Sequence, residues 1–536
     1  MTSTVSHAFT YTALTSLPFL IIKLFIINLF LLLLWQIFIY PYFYSPLRHL
    51  PRPKGKPPIL INLIISQQSP LSSTYLKWLT STPNTGLLTY RGILNQDRVI
   101  VTSPKAISKV LVRNTYAYTK NPSERDVIRR FLGDGLTISE GEGHKLQRKA
   151  LGPVYGRGVV KGFYNIFWGK GGELVRCLSH RIEGSGSHDR GAVIELTEWA
   201  SRTTMDIIGL AALGRDFGYL SGYQDNLAKE LFSTYQEMFT WTPEKELFMA
   251  LNRVLPRGFV QWLPWGVNER IDVTSATLRG ICQRLVRERI EEFRTTGGEG
   301  EDLTAKMMRI GGWEAEGLVE QLLTIIAAGH ETSALAFTWT CYLLAQNPAA
   351  QERLRAELSE VIVPLLAEKT TSDTLSNVLE NLPYLNAVCN ETLRLIPPVP
   401  LIRRVSIVPT TILGHSIPTG TQVLLCPYAI NRSSELWGPD AGEFNPDRWL
   451  NPETGKANND GGMVSNYANL TFSHGPRSCI GQNFAKAELK TLVAVFVSRF
   501  RFELARPDEE VVPVGIVSVR PRDGLYLKIE RVESGG

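Results

Sequence analysis

Residues with the types and spacing to do chemistry occur in four places. The first is Phe472-Ser-His-Gly475-Pro-Arg477-Ser-Cys479-Ile-Gly481, where one cysteine stands in a glycine-bearing loop and helix-period residues follow through Lys490. Loop N–H groups and the start of a helix stabilise a negative sulfur, so this thiolate suits a metal. The second is Glu391-Thr-Leu-Arg394, an acid and a guanidinium at i and i+3, the spacing of an ion pair along one helix face. In the third, Ala328-Gly329-His330-Glu331-Thr332-Ser333 interrupts a long apolar helix expected over 318–346. A glycine and a hydroxyl in mid-helix can open the backbone ladder to water, and an acid beside that hydroxyl can supply protons. His330 and Glu331 do not begin a zinc-protease motif, because no second histidine follows four residues after His330. Fourth, Gly143-His144-Lys145-Leu146-Gln147-Arg148 brings together an imidazole and a guanidinium, both able to donate to a carboxylate.

Positioning these groups falls to a chain of 536 residues that is 44% hydrophobic and 20% charged, with 44 Gly and 31 Pro dispersed along it. Such a composition belongs to a folded protein and excludes collagen-like, coiled-coil and wholly disordered chains. Six cysteines without a C-x-x-C pair suggest neither a zinc ribbon nor a disulfide framework, and fit a reducing compartment. The net charge of +6 is modest and no long basic run is present, so no nucleic-acid partner is expected. Residues 99–102 ahead of Pro104 predict the end of a short strand, residues 515–529 predict strands around turns, and most of the remainder carries helical spacing. Loops fall at 184–191, 295–302 and 451–466, none long enough for an interdomain linker. Residues 59–536 therefore read as one mainly α domain with small β-sheets.

The sharpest change of composition is at the start. Residues 17–40, LPFLIIKLFIINLFLLLLWQIFIY, are long enough at 1.5 Å per residue to cross a hydrocarbon core about 30 Å thick. Residues 1–16 carry no Lys or Arg and no small-residue cleavage site follows, so residues 1–40 read as a segment with a retained transmembrane anchor rather than a signal peptide. Lys23 can snorkel at one end, and Trp35, Tyr40, Tyr42 and Tyr44 suit an aromatic belt at the other. Arg48, Arg52, Lys54 and Lys56, set among prolines in residues 41–58, read as a basic hinge that no helix continues through. Positive charge after the span and none before it predicts a cytosolic body and a lumenal N-terminus. The N-x-S/T acceptors at Asn390, Asn431 and Asn469 are then expected to stay unglycosylated.

The cysteine loop meets every fixed position of the haem-binding loop of the cytochrome P450 superfamily, at Phe472, Gly475, Arg477, Cys479 and Gly481, and the chain resembles that family. The hexapeptide 328–333 resembles the family's oxygen-activation motif, and Phe444-Asn-Pro446-Asp-Arg448-Trp449 is similar to its second arginine motif. The resemblance implies a mainly α fold with small β-sheets, preceded by one N-terminal transmembrane helix. It implies haem b as cofactor, with Cys479 as the axial ligand, Gly475 and Gly481 allowing close backbone approach, and Phe472 shielding the sulfur. Arg477, Arg148, His144 and Arg404 are implied as propionate contacts, with Arg403 the alternative to Arg404. The family's usual tryptophan is replaced by His144, which puts the detailed haem contact there in question. Glu391, Arg394 and Arg448 are implied as one buried network, and Thr332 and Glu331 as the catalytic pair.

The implied reaction is insertion of one oxygen atom from O2 into a lipophilic small molecule, with electrons from NADPH through a membrane-bound reductase. Lys145, Lys149, Lys486 and Lys490 are candidates for a basic face toward that reductase, or an ordinary solvated face. FSHGPRSCIGQNFAKAELK and AAGHETSA resemble fungal microsomal members, which implies an endoplasmic reticulum membrane location, contact with membrane lipid, and polyketides, terpenoids, alkaloids or peptides as substrates. Fatty-acid or xenobiotic hydroxylation stays open, as do a reductase-independent isomerase or dehydratase and a noncatalytic haem protein. Substrate contacts are expected from residues 121–138, 224–265, 399–402 and 515–519, which are mainly apolar. Phe259, Trp262, Leu263 and Trp265 fit either aromatic core packing or a dip into the membrane.

Overall fold

The computed structural model describes residues 20–54, 72–92, 95–184, 191–239, 242–254, 257–367, 370–515 and 517–532. The first helix, α1 (Leu20–Tyr44), is 25 residues long and none of its most apolar stretch is buried by protein. Its last part, Trp35–Tyr44, is wound as a π-helix with Pro41 inside it. The helix thus runs past the expected boundary at Tyr40.

The segment after it is not a free hinge either. Leu47 and Leu50 are buried in the main core, and the Thr89 N–H donates to the Pro51 carbonyl at 2.9 Å. Burying two leucines stabilises docking by roughly 1.5–3 kcal/mol each, which outweighs the freedom a basic, proline-rich sequence would otherwise keep. The end of α1 is itself held: Arg91 donates to the Pro41 carbonyl at 2.6 Å and Asn95 to the Ile37 carbonyl at 2.5 Å. Asp97 completes this clamp, pairing with Arg91 at 2.7 Å and accepting from the Ser45 hydroxyl. Residues 17–19 of the expected span and 55–58 of the expected hinge lie outside the described residues.

Strands β1 (Leu87–Arg91), β2 (Asp97–Val101), β3 (Tyr118–Thr119), β5 (Ile402–Ser406) and β8 (Gln422–Leu425) form one sheet in the order β1-β2-β8-β5-β3, with β2 and β8 parallel and the other pairs antiparallel. β4 (Gly191–Glu195), β12 (Tyr526–Arg531) and β9 (Phe500–Leu504) make a second sheet, while β6 (Thr410–Ile412) pairs with β7 (His415–Ile417) and β10 (Pro513–Val514) with β11 (Arg520–Pro521). The strands expected near residue 100 and around the Asp523-Gly524 turn are β2, β11 and β12.

Helices fill most of the rest. Those that position the site are, in chain order, α2 (Pro122–Leu132), α3 (Gly141–Leu151), α4 (Leu196–Leu213), α5 (Asn226–Phe239), α6 (Pro243–Val254), α7 (Arg257–Trp262), α8 (Gly266–Thr295), α9 (Ala315–Gln346), α10 (Pro383–Leu395) and α11 (Gln482–Arg499). α9 is apolar on nearly every side and is accordingly buried at the centre, packed on α4, α8 and α11. A Cβ at Gly329 would stand 2.7 Å from the Ile208 side chain of α4, so the glycine is a packing requirement. The expectation that it opens the helix is not met: α9 is continuous, because a glycine held between two helices costs only about 1 kcal/mol of propensity.

Candidate active site

Cys479 is accessible from a cavity of about 260 Å³. The loop arrives there after Ser473 (φ +58°) and Gly475 (φ +72°) take left-handed conformations. A Cβ on Gly475 would lie 2.2 Å from the Leu111 carbonyl oxygen, so only glycine lets the loop press against that turn. The Cys479 N–H closes the loop by donating to the Phe472 carbonyl at 2.9 Å. Gly481 is different: its φ is −84° and a Cβ there would meet no atom within 4 Å, since it faces open cavity. Enclosure by protein pushes the Cys479 thiol up, against the pull of the Gly481 N–H and Arg148. A metal cation on the sulfur reverses that balance.

The loop is braced from below by a saturated network. Glu391, fully buried on α10, accepts from Arg394 Nε at 2.8 Å and Nη2 at 2.7 Å, and from Arg448 Nε at 3.0 Å. The Asn445 N–H at 3.0 Å and the Trp449 indole at 2.9 Å complete its shell. Arg394 also donates to the carbonyls of Asn431, Ala441 and Glu443, and Arg448 pairs with Asp440 at 2.6 Å. Asn431 carries the network onward, accepting from the Leu470 N–H at 2.9 Å and donating to Thr471 Oγ1 at 2.9 Å, at the start of the cysteine loop. Because Asn431 is fully buried, its acceptor motif is closed to glycosylation in the folded protein whatever the compartment.

Cations line the cavity above the loop. Lys120, Arg148, Arg404 and Arg477 all reach it, and Glu140 pairs with Lys120 at 3.3 Å and with Arg477. Arg148 donates to the Ser478 carbonyl at 2.6 Å. The Arg404 guanidinium is buried, donates to the Arg403 carbonyl at 2.9 Å, and is pushed down to about 10 by burial and by Arg477. Arg477 Nε is buried without a partner. His144 is buried with Nδ1 3.2 Å from the Tyr116 hydroxyl; burial and the cations Lys120 and Arg477 push it down to about 4, so it is neutral near pH 7. A soft sulfur beneath these cations, with a buried guanidinium nitrogen unpaired, fits an iron macrocycle bearing carboxylates. Arg403 is elsewhere, paired with Glu124 at 3.4 Å and lining a second cavity.

That second cavity, of about 470 Å³, is largely apolar and shares Ala328 and Thr332 of α9 with the first. The Thr332 hydroxyl donates back to the Ala328 carbonyl at 2.7 Å. Glu331 is buried and paired with Arg520, and both also line a polar cleft shared with Glu195, Glu198 and Asp523. The four segments expected to contact substrate all contribute walls, joined by Val267 and Ile271 of α8, which nothing in their helical spacing set apart. The walls are less uniformly apolar than expected, since Arg125, Lys245, Arg270, Arg403 and Arg520 are among them. Lys120, Glu140, Tyr116 and Arg520 were not singled out by the sequence because no short motif contains them. Lys486 and Lys490 are drawn partly inside, and burial lowers both; Lys145 and Lys149 are exposed.

The Cytochrome P450 family profile matches residues 51–528. The cytochrome P450 monooxygenase sphH of Aspergillus fumigatus is 40% identical, across 91% of this chain and 89% of its own. The cytochrome P450 monooxygenase ptmK of Penicillium ochrochloron is 36% identical, across 90% and 94%, and the cytochrome P450 monooxygenase FUM15 of Gibberella moniliformis is 35% identical, across 89% and 86%. With the cysteine loop, the cation-lined cavity and these likenesses together, the chain belongs to the cytochrome P450 family, as a monooxygenase that works with haem b, O2 and electrons from a reductase.

Proposed function

We propose that this enzyme inserts one oxygen atom into a lipophilic secondary-metabolite intermediate held in the larger cavity, with Thr332 delivering the protons. The observation that carries this reading is Thr332 at the junction of the two cavities, its hydroxyl within an apolar wall. Haem b, ligated by a thiolate, supplies dioxygen reduction and oxygen transfer when bound. Cys479 would be its ligand, Arg148, Arg404, Arg477 and the neutral His144 would hold its carboxylates, and Phe472 would cover the sulfur. Glu391, Arg394 and Arg448 would keep the loop in place. Thr332, whose hydroxyl donates to the Ala328 carbonyl at 2.7 Å at rest, would turn from that carbonyl to hand a proton across, and Glu331 would collect protons from the polar cleft to replace it, its charge balanced by Arg520 between turnovers. The similarity to fungal monooxygenases supports a secondary-metabolite substrate over a xenobiotic.

The body would sit on the cytosolic face of the endoplasmic reticulum, held by α1. The exposed aromatics Trp262 (75% accessible) and Phe259 (47%) on α7 support a second lipid contact, whereas Trp265 packs on Phe248 inside the protein. Protease digestion of the body in intact microsomes is the expected result, and protection would refute that placement.

The test of function is Thr332→Ala, assayed with excess reductase and the true substrate. Substrate affinity and NADPH consumption should hold, while product falls and hydrogen peroxide rises, because a positioned proton donor contributes roughly 10²–10⁴-fold to a step. Unchanged coupling with intact holoenzyme removes Thr332 from the proton path. Turnover without NADPH or O2 would remove the monooxygenase reading.

A further inference from the structure

We propose that the substrate carries an anionic head, a carboxylate or a group of like acidity, and that Arg125 on the wall of the larger cavity receives it; this rests on the monooxygenase reading above. The argument is one of pairing. Among the cations of that wall, Arg403 has Glu124 at 3.4 Å, Arg520 has Glu331, Arg270 has Glu244, Lys120 has Glu140 at 3.3 Å, and Lys245 donates to the Glu237 carbonyl. Arg125 stands apart. Its ion pair is with its own chain neighbour Asp126 at 3.8 Å, too long for a hydrogen bond, and its Nε is buried with no hydrogen-bond partner among the described residues. A charged side chain three-quarters withdrawn from water, with 23% accessibility, loses hydration that this contact does not replace. Its planar fork of donors matches a carboxylate edge to edge, and an apolar surround strengthens that match.

The walls leading away from Arg125 are apolar. On α2, Ile128 and Leu132 follow at helical spacing and also line the cavity, and the Leu132 carbonyl accepts from Thr324 of α9 at 3.4 Å. Seven residues of helix separate Arg125 from that contact, about 10 Å at 1.5 Å per residue, and Thr332 lies eight residues further along α9 from Thr324. An acid bound at Arg125 therefore lays an apolar body along α2 toward α9, and the enzyme oxidises a position remote from the acidic end.

The test uses full-length holoenzyme and the Soret shift on ligand binding, with lauric, myristic and palmitic acids and their methyl esters as probes. Wild type should bind at least one acid about tenfold or more tightly than its ester, the worth of a charge-assisted hydrogen bond. Arg125→Met should bring the acid down to the ester's affinity and leave the ester unchanged, and Arg125→Lys should keep part of the preference. Equal binding of every acid and ester by wild type, no binding of any acid, or a preference surviving in Arg125→Met would overturn the inference. The reduced carbon monoxide band reports folding in each variant, and Arg125→Gln replaces Arg125→Met if that variant lacks it. NADPH-dependent oxygen incorporation is measured in parallel, so a wild type that oxygenates but shows no acid preference refutes this inference alone.

Discussion

Glu391 below the cysteine loop and Arg125 above it are both charged side chains withdrawn from water, and the protein treats them in opposite ways. Glu391 is fully buried and receives donors from Arg394, Arg448, Asn445 and Trp449, while Arg125 has a 3.8 Å contact to its chain neighbour and a buried nitrogen with no partner. One region is complete as protein; the other is left for a ligand to complete. A saturated network over-determines the geometry of the cysteine loop, as the proposed ligand role requires. An unsaturated wall leaves room for choice among substrates.

The largest effect that would test this contrast is Cys479→Ala. It should abolish the red-shifted Soret band of the reduced carbon monoxide complex, yet leave the bracing below intact, because that network does not pass through the sulfur. Survival of the band would assign the wrong ligand. Next is Glu391→Ala, which strands two buried guanidiniums at a cost of about 3–5 kcal/mol and should yield little or no holoprotein. Normal haem content and an unchanged melting midpoint would show that the lower region is not over-determined at all.

The two loop glycines sharpen the comparison. Gly475→Ala puts a side chain at positive φ and against the Leu111 carbonyl, so it should cost about 1–3 kcal/mol from strain alone and reduce the yield of folded protein. Gly481→Ala should leave circular dichroism and folded yield unchanged and lower only haem per chain, since its Cβ enters the open cavity. Equal damage in both variants would mean the loop is not divided in this way.

The most gradual effect is a dependence on pH. Glu488 of α11 is buried against α9, and burial pushes its carboxyl up to about 8, with the Ser333 hydroxyl drawing it back. The folded protein therefore holds a proton that the unfolded chain releases near 4.5, so stability falls as pH rises from about 4.5 to about 8. The slope is at most about 1.4 kcal/mol per pH unit. Glu488→Gln should flatten the fall in melting midpoint across that window, and identical slopes would show the carboxyl is not held protonated.

What the sequence made legible follows the same division. Glu391 and Arg394 lie one turn apart and Cys479 lies between fixed glycines, so the pair and the loop can each be read from a single stretch, whereas Arg448, 57 positions from Glu391, is joined to them only through the family resemblance. The larger cavity draws walls from α2, α6, α8, α9 and the segments near 400 and 517, and no local period records which side chains meet there. Arg520 illustrates the loss: it reaches Glu331 from 189 positions away. Pro41 misled in the other direction. A proline ordinarily ends a helix, but here the backbone widens into a π-helix around it, and Arg91 and Asn95 supply donors to carbonyls in that stretch.

That clamp has a mechanical consequence. A free tether would let the haem domain tumble beneath its anchor, whereas carbonyls gripped by Arg91 and Asn95 make helix and domain a single lever. Inserted in a bilayer, such a helix tilts to match the hydrocarbon thickness, and the domain must tilt with it. With α1 as the proposed anchor, lipid composition would then be an angular setting for the enzyme, turning one surface or another toward the reductase.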